Sequence, residues 1–325
     1  LVVDIPNIRR PVPLFILMRA LGIISDKAII ETCLLNIEKN DLYLDYFIPS
    51  IHDARQIFNQ LNALEYLATF TKRQTISSAL EILTNYFLPH IGENNFIDKA
   101  FFIGYMVFKV LKVHSKQDLP TDRDSFRFKR VETSGSLLTN LFREYFIIQN
   151  KNITLQVDKE FYYHLVKYEN NPESFTTIFN DKSNIKKIFS DLIVETGFRK
   201  AFKGNWGASA NTKKLGIVQD LNRLSYYTYI SHIRKLNLPM ESSSKAVGPH
   251  QLHNSQWGII DPVDTPDGGN VGLHKHLAIA TKCSVHMSYI EIKNWLIENA
   301  NLRLITEYLP YQLYFLTKVF ANGNW

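Results

Sequence analysis

Across residues 1–120, apolar side chains recur every three or four positions, the spacing of one face of a helix. Ile57, Leu61, Leu64 and Leu67 form one stripe, with Asp53 placed to cap it. Ile76, Leu80, Leu83 and Phe87 form a second, behind Thr75 as N-cap and ended by Pro89. Phe101, Phe102, Tyr105, Met106 and Val110 form a third from Asp98 onward. Gly104 inside it costs helix propensity, which predicts close packing against a neighbour. Such stripes read as core, so this region is expected to be a helical scaffold without chemistry. The pattern breaks over residues 113–130: Ser115-Lys116-Gln117-Asp118, Pro120 and Asp122-Arg123-Asp124 offer no periodic face, and a domain boundary is expected there.

From Ser136 the period returns with Leu137, Leu141, Tyr145 and Ile148. A mixed, Lys- and Asn-rich region follows, then a helix predicted near Ile185 to Phe198. Gly204 to Gly216 encloses Ala-Ser-Ala-Asn-Thr-Lys-Lys and reads as a mobile cationic loop without an apolar face. Asn237 to Pro249, with Ser242-Ser243-Ser244-Lys245, reads as a second loop. No internal repeat or long low-complexity tract interrupts the chain.

Composition narrows the class. A length of 325 residues suggests two or three domains, and 45% hydrophobic with 21% charged residues describes a soluble globular chain. Net charge +6 tilts towards a polyanionic partner, although an ordinary basic surface accounts for it equally well. Cys33 and Cys283 give neither a disulfide framework nor a C-x-x-C zinc site, so a reducing compartment is expected. His274, His276, Cys283 and His286 lack paired-ligand spacing, and no metal site is expected. The longest apolar runs, Pro11 to Met18 and Ala100 to Phe108, are too short to span a bilayer. Arg9-Arg10 mimics an export signal, but Arg19 interrupts the following run and no cleavage site follows. Because residue 1 is Leu and the last motif stops at Trp325, the sequence is expected to be an internal piece of a longer protein.

The densest polar string begins Gln251-Leu252-His253-Asn254-Ser255-Gln256-Trp257-Gly258 and continues through Asp261-Pro262-Val263-Asp264-Thr265-Pro266-Asp267-Gly268. Thr265-Pro266-Asp267-Gly268 has the composition of a type I turn, which would orient Asp264 and Asp267. Polar loops of this kind commonly carry binding or chemistry. The string resembles the fork region of the second-largest subunit of multisubunit DNA-directed RNA polymerases, in its eukaryotic or large-DNA-virus form. Other segments resemble that family in the same order: Arg10-Pro11-Val12-Pro13-Leu14-Phe15, Phe87-Leu88-Pro89-His90-Ile91, Lys99 to Met106, Asp122-Arg123-Asp124, Gly204-Asn205-Trp206-Gly207, Gln219-Asp220-Leu221-Asn222-Arg223, Ser231-His232-Ile233-Arg234-Lys235 and Thr317 to Trp325.

The resemblance implies an α+β multidomain fold: a mostly helical lobe over 1–120, the C-terminal part of a mixed α/β protrusion over 121–203, an irregular fork with two loops over 204–272, and the start of an external domain over 273–325. It implies a part in template-directed RNA synthesis, with the largest and smaller polymerase subunits, template DNA, the RNA–DNA hybrid and ribonucleoside triphosphates as partners and no membrane. The site would be nuclear, or cytoplasmic for a cytoplasmic virus. Lys213, Lys214, Gln219, Asn222, Arg223, Arg234, Lys235, Lys245 and His250 fall in segments that would contact nucleic acid without reading sequence. Tyr226, Tyr227 and Tyr229 interleave with them, where packing beneath the loops accounts for them better than base stacking. Asp264 and Asp267 would support catalysis electrostatically, with Mg²⁺ held mainly by the largest subunit and no metal site in this fragment.

Departures from the family pattern are specific. Its KLAKPR is here Lys245-Ala246-Val247-Gly248-Pro249-His250, two cations poorer, and its AETPEG glutamates are Asp264 and Asp267. Asp261 and Val218 replace its Cys and Ser. Two other readings remain open: a stand-alone nucleic-acid-binding module, and a hydrolase built on His253, Asp264 and Asp267.

Overall fold

The computed structural model describes residues 1–167, 176–180, 182–209, 212–240, 245–285 and 287–325. Ser242, Ser243, Ser244 and His286, singled out above, lie outside the described residues, as do Ala210 and Asn211 of the first loop. The chain divides into two compact units, Leu1–Thr121 with His286–Trp325, and Asp122–Val285. The division at Thr121 falls inside the aperiodic stretch 113–130. Helices dominate both units. The ladders among the described residues are short and antiparallel, Val2–Val3 with Val12–Pro13 and Lys235–Asn237 with His274–His276.

The first unit is built on buried apolar faces. Its central helix, Leu14–Ala20, is buried at every position, including Arg19. That guanidinium is held by the carbonyl oxygens of Ala54 (3.0 Å), Ile57 and Ile24 and by the Asp26 carboxylate, so its charge is fully partnered. Thr75 caps the Ile76–Asn85 helix as expected, accepting the Ser78 amide at 3.3 Å, and Ala79, Ile82 and Leu83 are buried beneath it. Buried Lys99 donates to the Leu83 carbonyl at 2.7 Å and the Thr84 carbonyl at 3.3 Å, satisfying the end of that helix.

Leu80 of the stripe behind Thr75 is exposed rather than buried, and two further stripes differ from expectation. Asp53 closes the Ile48–Asp53 helix instead of capping the next one, which runs Gln60–Thr69 behind Asn59. Leu64 and Leu67 are buried there, whereas Leu61 faces solvent. In the Phe96–His114 helix the buried face is Ala100, Ile103, Gly104, Val107 and Leu111, leaving Met106 and Val110 exposed. Gly104 sets that face: a Cβ there would stand 2.6 Å from the Thr32 carbonyl oxygen. Phe101 instead joins a second cluster with Leu35, Ile305 and Leu313.

In the second unit, Ser134–Lys167 forms one long helix whose Leu141 and Tyr145 pack against Ala201 and Trp206. The helix expected from Ile185 to Phe198 is two, Lys182–Ile188 and Ile193–Phe202. Gln149 holds the break, donating to the Asp191 carbonyl (2.8 Å) and accepting the Ile193 amide (2.9 Å) that the new helix start leaves free. The 204–216 loop does have an apolar side: Trp206 is buried and bridges to Lys214.

Candidate nucleic-acid interface

The Lys235–Asn237 and His274–His276 ladder organises the polar residues of the second unit. Its register pairs Lys235 with His276, Leu236 with Lys275 and Asn237 with His274. Because side chains alternate along a strand, Lys235, Asn237, His274 and His276 share one face and Leu236 and Lys275 the other. His274 donates from Nδ1 to the Asn237 side-chain oxygen at 2.7 Å. Partial burial lowers the His274 pKa, helped by the positive Lys235 and by His276. On the opposite face Lys275 is buried, with Nζ 3.3 Å from the Pro249 carbonyl. Its pKa is lowered by burial and by Lys129, against the opposing pull of Asp124.

His232 completes the polar face. The Asn222 amide donates to its Nδ1 at 3.0 Å, which leaves the proton on Nε2, 3.0 Å from the Gln219 side-chain oxygen. Gln219 in turn donates to the Gly216 carbonyl at 2.7 Å. A small polar cavity of about 230 Å³ opens here, lined in part by Gln219, Leu221, His232, Lys235 and Asn237.

Asp264 lies against this face. Its carboxylate accepts the Ser231 hydroxyl at 2.9 Å and stands 3.3 Å from His276 Nδ1, which also donates to the Asp264 carbonyl at 2.8 Å. The type I turn expected at Thr265-Pro266-Asp267-Gly268 does not form, because Asp267 is extended (φ −79°, ψ 166°) and Gly268 is left-handed (φ 71°). The chain instead turns over Gly268–Asn270. Thr265 fastens the loop, accepting the Gly272 amide and donating to the His274 carbonyl, both at 2.9 Å. Asp261 fixes the approach through the amides of Val263 (2.9 Å) and Asp264 (3.2 Å), and these donors hold its pKa below the usual carboxylate value. Asp267 is exposed, without a hydrogen-bond partner among the described residues.

The cations divide into committed and free. Lys214 donates to both Glu132 carboxylate oxygens, at 2.6 and 2.5 Å. Arg234 is spent on the carbonyls of Leu277 (3.3 Å), Ala278 and Ile279 (3.4 Å), and Arg223 lies over the Tyr229 ring at 5.4 Å. Lys213 and Lys245 are exposed. His250 donates from Nδ1 to the Val271 carbonyl at 2.7 Å. Tyr226 and Tyr227 are 74% and 83% exposed, so packing beneath the loops does not account for them.

His253 is elsewhere than the hydrolase reading requires. Ser255 donates its amide to His253 Nδ1 at 3.1 Å, and His253 Nε2 donates to the Asp122 carboxylate at 2.7 Å. The Ser255 hydroxyl lies 2.7 Å from His253 Nδ1 and accepts the Phe126 amide at 2.8 Å. This network clasps residues 122–126 to 253–255; neither Asp264 nor Asp267 takes part. Among the described residues, no group of three or more His, Cys, Asp or Glu side chains is placed to hold a metal ion.

Sequence reasoning missed Ser231, His232, Asn237, His274 and His276 as parts of one face. The available signal was alternation: Lys235-x-Asn237 and His274-x-His276 each carry polar side chains two apart, as paired strands present them.

The surrounding sequence matches known proteins. Residues 1–132 match the family model for RNA polymerase Rpb2, domain 2, and residues 219–283 that for RNA polymerase Rpb2, domain 3. The RPB2 subunit of DNA-directed RNA polymerase II from Encephalitozoon cuniculi is 34% identical over 99% of the chain. Its counterpart from Schizosaccharomyces pombe is 32% identical over 99%, and subunit Rpo2 of the Saccharolobus solfataricus DNA-directed RNA polymerase 29% over 99%. The chain covers 28%, 26% and 28% of these relatives' lengths, respectively. It belongs to the Rpb2 family of RNA polymerase subunits.

Proposed function

We propose that this chain acts within the second-largest subunit of a DNA-directed RNA polymerase, where it shapes the active-centre cleft and contacts the RNA–DNA hybrid and downstream DNA. The observation that carries this reading is the polar face of Lys235, Asn237, His232, His274 and His276, which lies inside the stretch matching domain 3. It holds hydrogen-bonding groups and a cation in a fixed array, suited to a backbone that must be gripped without being read. On this reading, 1–120 is the lobe, 121–203 the end of the protrusion, 204–272 the fork and 273–325 the start of an external domain. The 204–216 loop serves the upstream hybrid and the 237–249 loop the downstream edge, with Lys213 and Lys245 as the phosphate-seeking cations. The largest and smaller subunits, template DNA and ribonucleoside triphosphates are the partners, and the nucleus is the compartment in a eukaryote. No helix among the described residues is long and apolar enough to cross a membrane.

Mg²⁺ for nucleotidyl transfer belongs mainly to the largest subunit, so this chain binds and positions. Asp264, aimed by Ser231 and His276, acts on the nucleotide from a distance as a fixed negative charge. In assembled polymerase, Asp264→Asn deletes that charge while keeping shape, and Asp264→Glu restores the family's reach. Single-nucleotide addition at subsaturating nucleotide should slow by about tenfold for each 1.4 kcal/mol of stabilisation lost in the Asn variant, and recover towards wild type in the Glu variant. Parental rates in both variants would make Asp264 structural only.

A further inference from the structure

Within the first unit, the end of the Phe96–His114 helix and the 318–325 segment enclose a cavity of about 340 Å³, a size that accommodates a small organic ligand. Tyr105, Phe108, Phe320 and Trp325 give it aromatic walls, and Lys109, Lys112 and Lys318 also line it. Phe320 and Trp325 stack at 5.8 Å with 26° between their planes, and Tyr105 leans on both at 5.0 and 6.0 Å. Phe320 nevertheless stays 39% exposed, leaving a ring surface for a further planar group.

The charges are unbalanced. Lys109 has a carboxylate, Asp118, at 4.0 Å. Lys112 lies over the Phe108 ring at 4.9 Å, and Lys318 donates to the carbonyls of Leu313 (3.3 Å) and Leu316 (3.5 Å). Among the described residues no carboxylate pairs with either. Burial and the charge of Lys112 lower the Lys318 pKa. The charges of Lys112 and Lys318 repel one another beside an apolar wall; an anion relieves the repulsion and a flat ring covers the wall.

We propose that this cavity is a binding site for a mononucleotide-sized ligand, a planar heteroaromatic ring carrying a phosphate. The phosphate bridges Lys112 and Lys318, and the ring lies against Phe320 and Trp325. An inorganic ion alone would leave the aromatic wall uncovered, and an uncharged ring would leave the lysines unpaired. The site is separate from the polar face of the second unit and does not depend on its proposed role.

The test is calorimetric titration of the full chain with adenosine 5′-monophosphate, with inorganic phosphate and with adenosine. The nucleotide should bind about tenfold or more tightly than either part, and Lys112→Ala should weaken it about tenfold. Lys72→Ala, which removes the same charge from an exposed position outside the cavity, should leave binding unchanged. Lys318→Gln provides a second variant should Lys112→Ala fail to fold, with thermal melting confirming that each variant is native. Absence of nucleotide binding, phosphate binding as tightly as nucleotide, or equal weakening by Lys72→Ala would overturn the proposal.

Discussion

The helical region Leu1–Thr121 and the loop-rich stretch from residue 212 to 285 are held together by different forces. In the first, eight consecutive residues, Leu14 to Leu21, are buried, and Ala63, Leu67, Ala79, Leu83, Ala100 and Ile103 pack around them. In the second, the buried apolar side chains among the described residues are Ile260 and Leu273. Hydrogen bonds between residues distant in sequence take over: Thr265 to His274, Asn237 to His274, Ser231 to Asp264 and His253 to Asp122. A core built by area tolerates surface change but loses stability with every buried apolar group removed from it. A region built by satisfied polar groups loses a smaller increment, about 1–3 kcal/mol, for each partner left unpaired. The second arrangement leaves polar side chains at the surface in fixed directions, as the proposed contact with nucleic acid requires.

That contrast is open to direct measurement. The largest effect is expected in the helical core, where Leu67→Ala should cost about 2–5 kcal/mol in chemical denaturation, since Leu67 is fully buried. Thr265→Val should cost less, roughly 1–3 kcal/mol, by leaving the Gly272 amide and the His274 carbonyl without their partner. Should the hydroxyl deletion prove as damaging as the leucine truncation, the two regions would not differ in the way described.

A pH series sharpens the comparison further. Lys275 is buried, and its folded pKa lies below the ordinary 10.5, so the unfolded chain binds more protons as pH rises towards that value. The cost of its buried charge is therefore full below the folded pKa and relieved between the folded pKa and 10.5. Wild type should gain stability relative to Lys275→Met across that window, by no more than about 1.4 kcal/mol per pH unit for one proton. Parallel stability curves would show that the burial of this ammonium carries no proton linkage.

The smallest effects on stability, within about 0.5 kcal/mol, are expected at the loop cations. Their difference should emerge in assembled polymerase as salt dependence. Lys213→Ala removes an exposed cation and should lower the salt slope of complex retention by about one unit, on all sequences alike. Lys214→Ala should change it less, because Glu132 already neutralises that ammonium. An equal drop for both lysines would mean that the Glu132 pair opens on binding.

The sequence by itself determined the local features. Thr75 capped its helix because the N-cap bond joins residues three apart, and Gly104 marked a close approach because only a missing Cβ fits beneath the Thr32 carbonyl. The aperiodic run around residues 113–130 and the polar string at 251–268 were equally legible. Tertiary structure decided which side of each helix met a partner. The aromatic stripe of Phe96–His114 suggested one face, yet the smaller residues Ala100, Ile103 and Gly104 went inward, because close packing against Asp26–Leu34 rewards small volume over hydrophobicity. It also undid the Thr265–Gly268 turn, where the Thr265 hydroxyl gains two backbone partners that the local turn lacks. The face uniting Lys235, Asn237, His274 and His276 was fixed only by the register of two strands nearly forty residues apart. Side-chain periodicity sets what each strand can show, but pairing across that separation sets what they show together.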